Sequence, residues 1–395
     1  MTLSIRRLEP ADAESARQLG MEAFGVPSSP PTTPATIAQP GMIWFGAFEG
    51  DTLVAQLIDR EYDSFFGGVP VPTCGVAGVT VAAEHRGRGV LTPLFTSLLR
   101  NAMQRGALIS TLFSSALRVY RKFGYEMIAQ SVMVEVPSTV LAAVPHPETM
   151  ETRRAAAADF DGIRAVYNSW ASEQNGPLSR RGVSFTATAE DFISSFTGVT
   201  VAVDTAGVIC GFVSWNRGQG FGEGGSIGVA DLLATCADAY RALLSVIGSF
   251  TSITAWVKID TSGDDLGRLF LPSTPWKVIE SHPYMLTILD VAESLNRRKY
   301  PLGMTATLRF AVQGNFLAEN DGAYELTVSA GQAKCSDADQ ANRTLTPQGL
   351  ALLYAGTQSC ANLRMAGHLT GGDITEDLDW DALFGGRQRH IRDRF

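Results

Sequence analysis

The first informative pattern in the chain is an alternating apolar strand that passes through a basic turn into an amphipathic helix. Val79 and Val81 alternate with polar or small residues, which predicts a half-buried strand. Beyond the turn, a helix is predicted whose apolar face is formed by Leu91, Leu94, Phe95, Leu98, Leu99 and Ala102. Gly106 ends that helix, and a second apolar strand is predicted over 108–113. The segment therefore predicts a strand–turn–helix–strand unit of an α/β protein.

The pattern of the N-terminal third recurs later in the chain. Arg7 precedes Asp12 by the same distance at which Arg154 precedes Asp159, and a helical pattern follows each aspartate. Two further pairs of segments correspond in order, namely hairpins over 43–58 and 201–215 and strand–helix–strand units over 77–113 and 226–257. We therefore predict a duplicated α/β domain. The second copy has no basic turn, because 227–233 contains no arginine, so it is expected to be structural or to contribute walls and contacts.

A third region with a different pattern begins near Asp290. A proline-containing linker separates the two copies over 137–148. Strands of the third region are predicted over 305–312 and 323–329, and helices over 347–355, 359–366 and 377–384. The fold class predicted is α/β (α+β), with three domains over 1–137, 148–289 and 290–395.

Composition narrows the classes of function. A net charge of −8 at pH 7 argues against nucleic acid or a membrane surface as a partner. The five cysteines are scattered, which predicts free thiols in a reducing compartment. The five histidines have no metal-ligand spacing, so no metal site is expected. The N-terminus lacks the apolar core of a signal peptide and no apolar run is long enough to span a bilayer, so we expect a cytoplasmic protein.

The turn after Val81 has the chemistry of an anion site. Gly87 and Gly89 allow an anion to approach the backbone, and Arg86 and Arg88 add fixed positive charge at the start of a helix. This combination predicts a site for a phosphate or pyrophosphate, and an exposed turn with solvated arginines is the alternative. A dinucleotide site is disfavoured because the third glycine of its fingerprint is missing, and there is no Walker A motif.

The turn resembles the R/Q-x-x-G-x-G/A loop of the GNAT superfamily of N-acetyltransferases. Arg86 and Gly89 match that loop, whereas Leu91 stands where Gly or Ala is usual. The resemblance implies acetyl-coenzyme A as co-substrate, with the strand backbone pairing with the pantetheine amide and polarising the thioester carbonyl. The residues expected to bind it are Val79, Thr80, Val81, Arg86, Gly87, Arg88, Gly89, Val90, Leu91 and Ser115.

A second segment, 114–125, is similar to the part of these enzymes that carries their catalytic tyrosine. Tyr120 precedes the closing Lys122-Phe123-Gly124-Tyr125, so the resemblance implies Tyr120 as the catalytic residue. A tyrosine has a pKa of about 10 and a thiol one of about 8.5, so Tyr120 can protonate a departing thiolate. A buried core tyrosine is the alternative. Ser115 is expected to hydrogen-bond the tyrosine or the cofactor, or to cap the helix.

The whole chain resembles the enhanced-intracellular-survival (Eis) type of these acetyltransferases. The resemblance rests on an active first copy, a degenerate second copy, a domain similar to sterol carrier proteins, and the terminal Asp393-x-Phe395. It implies that the carboxylate of Phe395 reaches the active site, as the base or as an anchor for the cationic amine. A frayed tail is the alternative. The family also implies a homo-oligomer, specifically a hexamer.

The acceptor remains open among several classes. The resemblance implies direct attack by a primary amine of a small molecule, aminoglycoside-like or a polyamine. Protein lysines are the alternative, and noncatalytic binding of an apolar ligand by the sterol-carrier-like domain ranks lower. A proline-rich stretch begins near Phe24, after the first predicted helix, where it would cover the acceptor. Phe24 and Trp44 are therefore candidate walls of the acceptor pocket, with core packing as the alternative.

Overall fold

A computed structural model describes residues 3–25, 36–262, 265–271 and 276–395. These residues form a twelve-stranded sheet and a separate five-stranded sheet, with helices packed on both. The large sheet contains both copies of the repeat, and the small sheet belongs to the third region. The predicted α/β (α+β) fold class is confirmed.

The first copy contains the strand–turn–helix–strand unit that the apolar pattern predicts. Its strands are Leu3–Arg7 (β1), Met42–Glu49 (β2), Thr52–Phe66 (β3), Val69–Val81 (β4), Ile109–Phe113 (β5) and Glu126–Pro137 (β6). Its helices are Ala13–Phe24 (α1), Leu91–Gln104 (α2) and Leu117–Arg121 (α3), and Ser138–Ala142 (α4) lies in the predicted linker. The predicted apolar face of α2 is buried except for Leu91, which is only partly buried.

The second copy repeats this order of strands. Its strands are Met150–Arg154 (β7), Gly198–Asp204 (β8), Ile209–Arg217 (β9), Gly222–Ala234 (β10), Thr254–Thr261 (β11) and Lys277–Ile288 (β12). Its helices are Phe160–Ser172 (α5), Ala189–Ser194 (α6) and Ala237–Gly248 (α7). The repeat extends to individual contacts, because Arg6 pairs with Asp12 and Arg153 with Asp159, each through two N–O contacts of 2.7–2.9 Å.

The two copies exchange their last strands. The order of the large sheet is β1-β2-β3-β4-β5-β12-β6-β11-β10-β9-β8-β7. β12, from the second copy, lies antiparallel to β5, with Tyr284 opposite Phe113 and Ile288 opposite Ile109. β6, from the first copy, pairs with β11. The alternation of side chains predicts which face of a strand is buried, but it does not predict which neighbour the strand pairs with. The exchange therefore appears only in the folded chain.

The third region is an α+β unit whose helices begin at side-chain caps. Its strands are Ala306–Val312 (β13), Gly322–Ser329 (β14), Gln332–Asp337 (β15), Arg343–Leu345 (β16) and Leu369–Gly371 (β17). Its helices are Val291–Arg297 (α8), Pro347–Tyr354 (α9), Cys360–Met365 (α10) and Ile374–Phe384 (α11). Asp290 caps α8 and Thr346 caps α9. The last helix begins earlier than predicted because Asp373 caps it.

The core of the third region is filled by its own aromatic side chains. The ring of Trp380 lies 5.2 Å from that of Phe310 and 5.8 Å from that of Phe384. All three side chains are essentially inaccessible to solvent. This packing gives no support to the expectation ranked lowest, in which the domain stores an apolar ligand.

The cysteines are free thiols, and most of them are removed from solvent. Cys74, Cys335 and Cys360 are buried, whereas Cys236 is exposed. Within the described ranges, no three His, Cys, Asp or Glu side chains form a group that could hold a metal ion. No helix in that part of the chain is long and apolar enough to cross a membrane.

Candidate active site

The strands β4 and β5 separate at the point where the predicted site begins. They pair in parallel from Thr73 opposite Ile109 to Val76 opposite Leu112, and no further pair joins them in the described structure. The pairing of β4 with β3 also shifts register near Gly78, which has a φ of +59°. That left-handed conformation favours glycine. The result is a gap between the two strands, beside the backbone of residues 79–81.

The turn after β4 depends on its glycines for conformation and not for packing. Gly87 and Gly89 both have a φ of +76°, and in the described structure a Cβ at either position would meet no atom within 4 Å. Arg86 folds back and donates its Nε–H to the main-chain oxygen of Val81 at 3.1 Å. This bond ties the turn to β4, while the glycine side of the turn stays open to an incoming group.

The helix α2 begins at this turn without a side-chain cap. Val90 occupies the capping position, and the first turn contains no acidic residue. The start of a helix leaves several N–H groups unpaired and carries a partial positive charge. An anion bound here would satisfy those groups, as phosphates do at other helix starts.

A cavity of about 500 Å³ lies against the turn and the start of α2. Two of its cations, Arg118 on α3 and Lys122 at the end of that helix, were not assigned to the donor site from the sequence, although the basic run over 118–122 was a signal for them. No acidic side chain is among its described lining residues. The cavity is lined by Val81, His85, Arg86, Gly87, Gly89, Val90, Leu91, Thr92, Arg118, Val119, Lys122 and Phe123.

Four residues of the predicted donor site do not line this cavity. Val79 and Thr80 belong to β4 beside the gap, and Arg88 lies within the turn. Ser115 is exposed, and its neighbour Ser114 accepts a hydrogen bond from the main-chain N–H of residue 116 at 3.0 Å. The local bond at the start of α3 that the sequence suggested for Ser115 is therefore made by Ser114.

Tyr120 lies on α3 with only 8 % of its surface exposed. Its ring packs edge-on against Phe95, with the centroids 6.1 Å apart. Burial raises the pKa of Tyr120 above its ordinary value of 10.0, so the hydroxyl is protonated at neutral pH. Tyr125 differs, because its hydroxyl lies 2.6 Å from that of Ser110 inside the core. Tyr125 thus has a structural role, and Tyr120 is the tyrosine near the site.

The C-terminal tail, residues 388–395, is docked against the second copy of the repeat. Its main chain runs beside Asn175, whose N–H donates to the oxygen of Gln388 at 2.8 Å. The N–H of His390 in turn donates to the oxygen of Asn175 at 2.9 Å. These main-chain bonds contradict the alternative of a frayed tail.

Buried charges of the tail add to this docking. Arg392 is 7 % exposed and donates to Asp265 at 2.6 Å, while Asp393 accepts from Arg180 at 2.8 Å. Burial by itself would raise the pKa of Asp265, but the neighbouring His390 imidazole and the Arg392 guanidinium outweigh it. The pKa of Asp265 is therefore held well below its usual range. The tail is thus held by paired charges in a site with little water.

The ring of Phe395 lies beside the gap between β4 and β5. Its centroid is 5.0 Å from that of Tyr62 and 5.5 Å from that of Phe113, the last residue of β5. A Cβ at Gly75 would lie 2.9 Å from this ring, so glycine is needed for the approach. Tyr120 packs in the cluster on the opposite face of the sheet. The two predicted catalytic residues therefore lie on opposite faces of the sheet.

The face of the sheet that carries Phe395 also carries Trp44. Trp44 lies opposite Ile58, and the alternation along β3 puts Arg60 and Tyr62 on the same face. The Nε1 of Trp44 and the Nε of Arg60 are buried without a hydrogen-bond partner among the described residues. Phe24 ends α1 and is 70 % exposed. Most of the proline-rich stretch that was expected to cover the acceptor lies outside the described residues.

Three segments of the chain match protein-family models. Residues 4–128 and 176–288 each match an acetyltransferase (GNAT) domain, and residues 291–392 match a sterol carrier protein domain. An uncharacterized N-acetyltransferase of Streptomyces griseus is 26% identical over 97% of both chains. A GCN5-related N-acetyltransferase from Kribbella flavida has a TM-score of 0.84 at 25% identity, covering 100% of this chain and 98% of that one. Eis1 from Mycobacterium abscessus has a TM-score of 0.76 at 22% identity, covering 100% of both.

Proposed function

This chain is an N-acetyltransferase of the GNAT type with an Eis-like order of domains, and from this premise we propose that it acetylates a primary amine of a small molecule. Acetyl-coenzyme A is the donor, and the amine attacks it directly in a ternary complex. The observation that carries the proposal is the gap between β4 and β5, with Phe395 beside it on one face of the sheet and Tyr120 in the apolar cluster on the other face.

The open turn and the start of α2 fit the pyrophosphate of coenzyme A. Gly87 and Gly89 leave room for the oxygens of the pyrophosphate. The N–H groups at the start of α2 have no side-chain cap and can donate hydrogen bonds to its negative charge. Arg118 and Lys122 line the same cavity and suit the remaining phosphate of the carrier. The acetyl-thioester then reaches the gap along residues 79–81 of β4.

The chemistry proposed at the gap requires no covalent acetyl-enzyme. The amine nitrogen bonds to the thioester carbon, the C–S bond breaks, and the main-chain N–H groups near Val79 stabilise the oxyanion. Tyr120 donates its proton to the departing thiolate, whose ordinary pKa is lower than that of the buried phenol. Cys74 is a poor nucleophile for a covalent route, because burial raises the pKa of its thiol well above 9.0.

The terminal carboxylate of Phe395 is proposed to bind the ammonium group and to accept its proton. In water a terminal carboxylate has a pKa of about 3.5 and an alkylamine one of about 10.4, so transfer would cost roughly 9 kcal/mol. A site with little water disfavours the charged carboxylate and the charged ammonium group. It therefore raises the pKa of the first and lowers the pKa of the second, which narrows the difference between the two pKa values. The aromatic surroundings of the Phe395 ring and the docked tail favour such a site.

Three variants test these assignments through the release of coenzyme A. Replacing Tyr120 by Phe is expected to lower kcat about 100-fold or more while the KM for acetyl-coenzyme A changes little. The matched control is Tyr125→Phe, which removes a core hydrogen bond and lowers stability by about 1 kcal/mol without a comparable loss of kcat. One glycine added after Phe395 keeps the ring but displaces the carboxylate, and it is expected to reduce kcat as much as deletion of Phe395.

Wild-type kcat in the Tyr120 variant would remove the proposed acid. Wild-type kcat in both tail variants would rule out the proposed base.

The acceptor is identified with a panel of aminoglycosides, a polyamine and a lysine-containing peptide. The docked tail and α1 enclose the acceptor face of the sheet, which favours a small molecule over a protein lysine as the acceptor. A peptide acetylated faster than every small amine would reverse that order.

A homo-oligomer, specifically a hexamer, is proposed by resemblance to the Eis type. The third region supports an interface, because α10 and α11 present three strongly exposed apolar side chains, Met365, Ile374 and Leu378. Light scattering at micromolar concentration gives the mass of the assembly. A mass equal to one chain would contradict the proposal.

A further inference from the structure

The second copy of the repeat contains a cavity that the proposed acetyl transfer does not use. It measures about 260 Å³ and lies between α5, α6 and the segment 179–187. The corresponding part of the first copy lies on the acceptor side, next to α1. The second copy thus has no basic donor turn but contains a pocket beside its first helix.

The walls of this cavity combine aromatic surface with positive charge. Its apolar lining is largely aromatic, and three arginines, Arg164, Arg180 and Arg181, border it. No acidic side chain is among the described lining residues, although the chain as a whole has a net charge of −8. The apolar lining residues are Phe160, Ile163, Phe185, Phe192 and Phe212. Such a lining suits a molecule with an apolar ring and an anionic end.

The polar groups of the cavity are not all used within the protein. Ser179 is 97 % buried, and its hydroxyl has no hydrogen-bond partner among the described residues. A buried hydroxyl without a partner costs free energy unless a ligand satisfies it. Arg180 is fully engaged by Asp231 and Asp393. Arg164 has a loose ion pair of 3.8 Å with the exposed Asp161 and lies over the ring of Phe160, 5.6 Å from its centroid, so its guanidinium can turn to a ligand without breaking a close hydrogen bond.

We propose that this cavity is a binding site for a small aromatic carboxylate. The ring lies among the phenylalanines, the hydroxyl of Ser179 donates to the carboxylate, and Arg164 and Arg181 neutralise its charge. Guanidinium groups pair well with carboxylates because both are planar and can form two parallel hydrogen bonds. The site is separate from the gap between β4 and β5 and takes a ligand of the opposite charge to the acceptor amine.

The cavity is also connected to the C-terminal tail. Arg180 and Tyr167 both line it, and both hydrogen-bond to Asp393, at 2.8 and 3.1 Å respectively. Asp393 lies two residues before Phe395. A ligand charge in the cavity therefore interacts with the carboxylate that positions the end of the tail. Removal of this carboxylate is therefore expected to change the affinity of the cavity for an anion, because the two negative charges lie near the same guanidinium of Arg180.

The binding test uses the full-length protein and 3-phenylpropanoate as the probe, measured by isothermal titration calorimetry. The neutral 3-phenylpropanamide is the matched probe, with the same ring but no charge. The carboxylate is expected to bind at least tenfold more tightly than the amide. Equal binding of the two probes, or no binding of the carboxylate at millimolar concentration, would overturn the proposal.

Variants of the wall locate the site. Arg164→Gln and Arg181→Gln are each expected to weaken binding of the carboxylate roughly tenfold, as loss of a charged hydrogen bond does. Arg241→Gln is the control, because Arg241 lies on α7 of the same copy, outside the cavity. Its surroundings match those of Arg164, since each arginine pairs with an aspartate three residues before it and lies over a phenylalanine ring. Its affinity should equal that of the wild type. Loss of binding in the control alone would place the probe elsewhere.

The connection to the tail has its own measurement. Asp393→Asn removes one negative charge from Arg180 but keeps a similar shape, so the affinity for 3-phenylpropanoate should rise about threefold to tenfold. The affinity for the amide should not change. The melting temperature of the variant shows that the chain still folds. An unchanged affinity for the carboxylate in a folded Asp393→Asn protein would refute the connection.

Discussion

Replacement of Arg392 by Met tests whether buried charge holds the tail in place. The Arg392 guanidinium donates to the carboxylate of Asp265 and to the main-chain oxygen of Asp260, both at 2.6 Å. It also lies over the ring of Trp170, 5.3 Å from its centroid. Methionine keeps much of the length of the side chain but removes its charge and its donors. The change therefore leaves the carboxylate of Asp265 buried without its cation.

The size of the effect follows from what remains around Asp265. Removing one member of a buried ion pair costs about 3–5 kcal/mol. The lower end applies here, because Asp265 still accepts from the hydroxyls of Tyr240 and Thr261 and from the N–H of Gly267, at 2.6 to 2.9 Å. A cost of about 3 kcal/mol raises the population of the undocked tail roughly 100-fold.

Limited proteolysis with trypsin measures that population directly. When closing is faster than cleavage, the rate of cutting follows the population of the open form. Mass spectrometry of the products reports cutting after Arg387 and Arg389, sites that both proteins share. The rate of this cutting is expected to rise roughly 100-fold in Arg392→Met. The activity of the variant should lie between those of the wild type and the chain without Phe395.

The neighbouring Arg394 provides the control for this experiment. Its side chain is more than a third exposed, and its contacts with Ser131, Asp260 and Glu280 are 3.3 to 3.7 Å long. Arg394→Met should therefore change the cutting rate less than about fivefold, as expected for surface pairs. Equal cutting of the two variants would refute the argument that the buried pair, and not the total charge of the tail, holds Phe395 at the gap.

Three further predictions address the donor site, the pH dependence and the acceptor. Gly89→Ala strains a φ of +76° and adds a methyl group to the proposed phosphate site, so steady-state kinetics should show a KM for acetyl-coenzyme A that is about tenfold higher or more. Gly106→Ala, beyond the other end of α2, should leave that KM unchanged. Burial lowers the pKa of His390 to about 4, whereas a free tail takes up the proton near 6.5, so docking of the tail is stable above pH 6.5 and weakens as the pH falls toward 4. The protection factors of the tail amides, which compare their exchange with that of an unfolded chain at the same pH, should therefore be high above pH 6.5 and fall toward pH 4. Tail docking that does not change between pH 6.5 and 4 would contradict the argument that buried, neutral His390 stabilises the docked tail. Arg60→Gln removes a cation from the face of the sheet that carries Trp44 and Tyr62. Because a polyamine is itself cationic, kcat/KM for a polyamine should rise several-fold. An unchanged kcat/KM would place the acceptor elsewhere.

The sequence alone determined the features that depend on neighbours along the chain. The apolar face of α2 follows from helical spacing, and the left-handed turn before it follows from Gly87 and Gly89. The repeat could be recognised because the spacing between Arg7 and Asp12 recurs between Arg154 and Asp159. Caps and periodicity involve residues only a few positions apart, so their physics is contained in the sequence itself.

The tertiary structure decided which distant parts of the chain meet. Every strand offers the same main-chain donors and acceptors, so nothing local selects β12 as the neighbour of β5 or exchanges β6 with it. The meeting of Phe395 with Tyr62 depends in the same way on where the tail docks, which buried pairs such as Arg392 with Asp265 determine. Such contacts are selected by the packing of the whole molecule, because their free energy exists only when both partners have left water together.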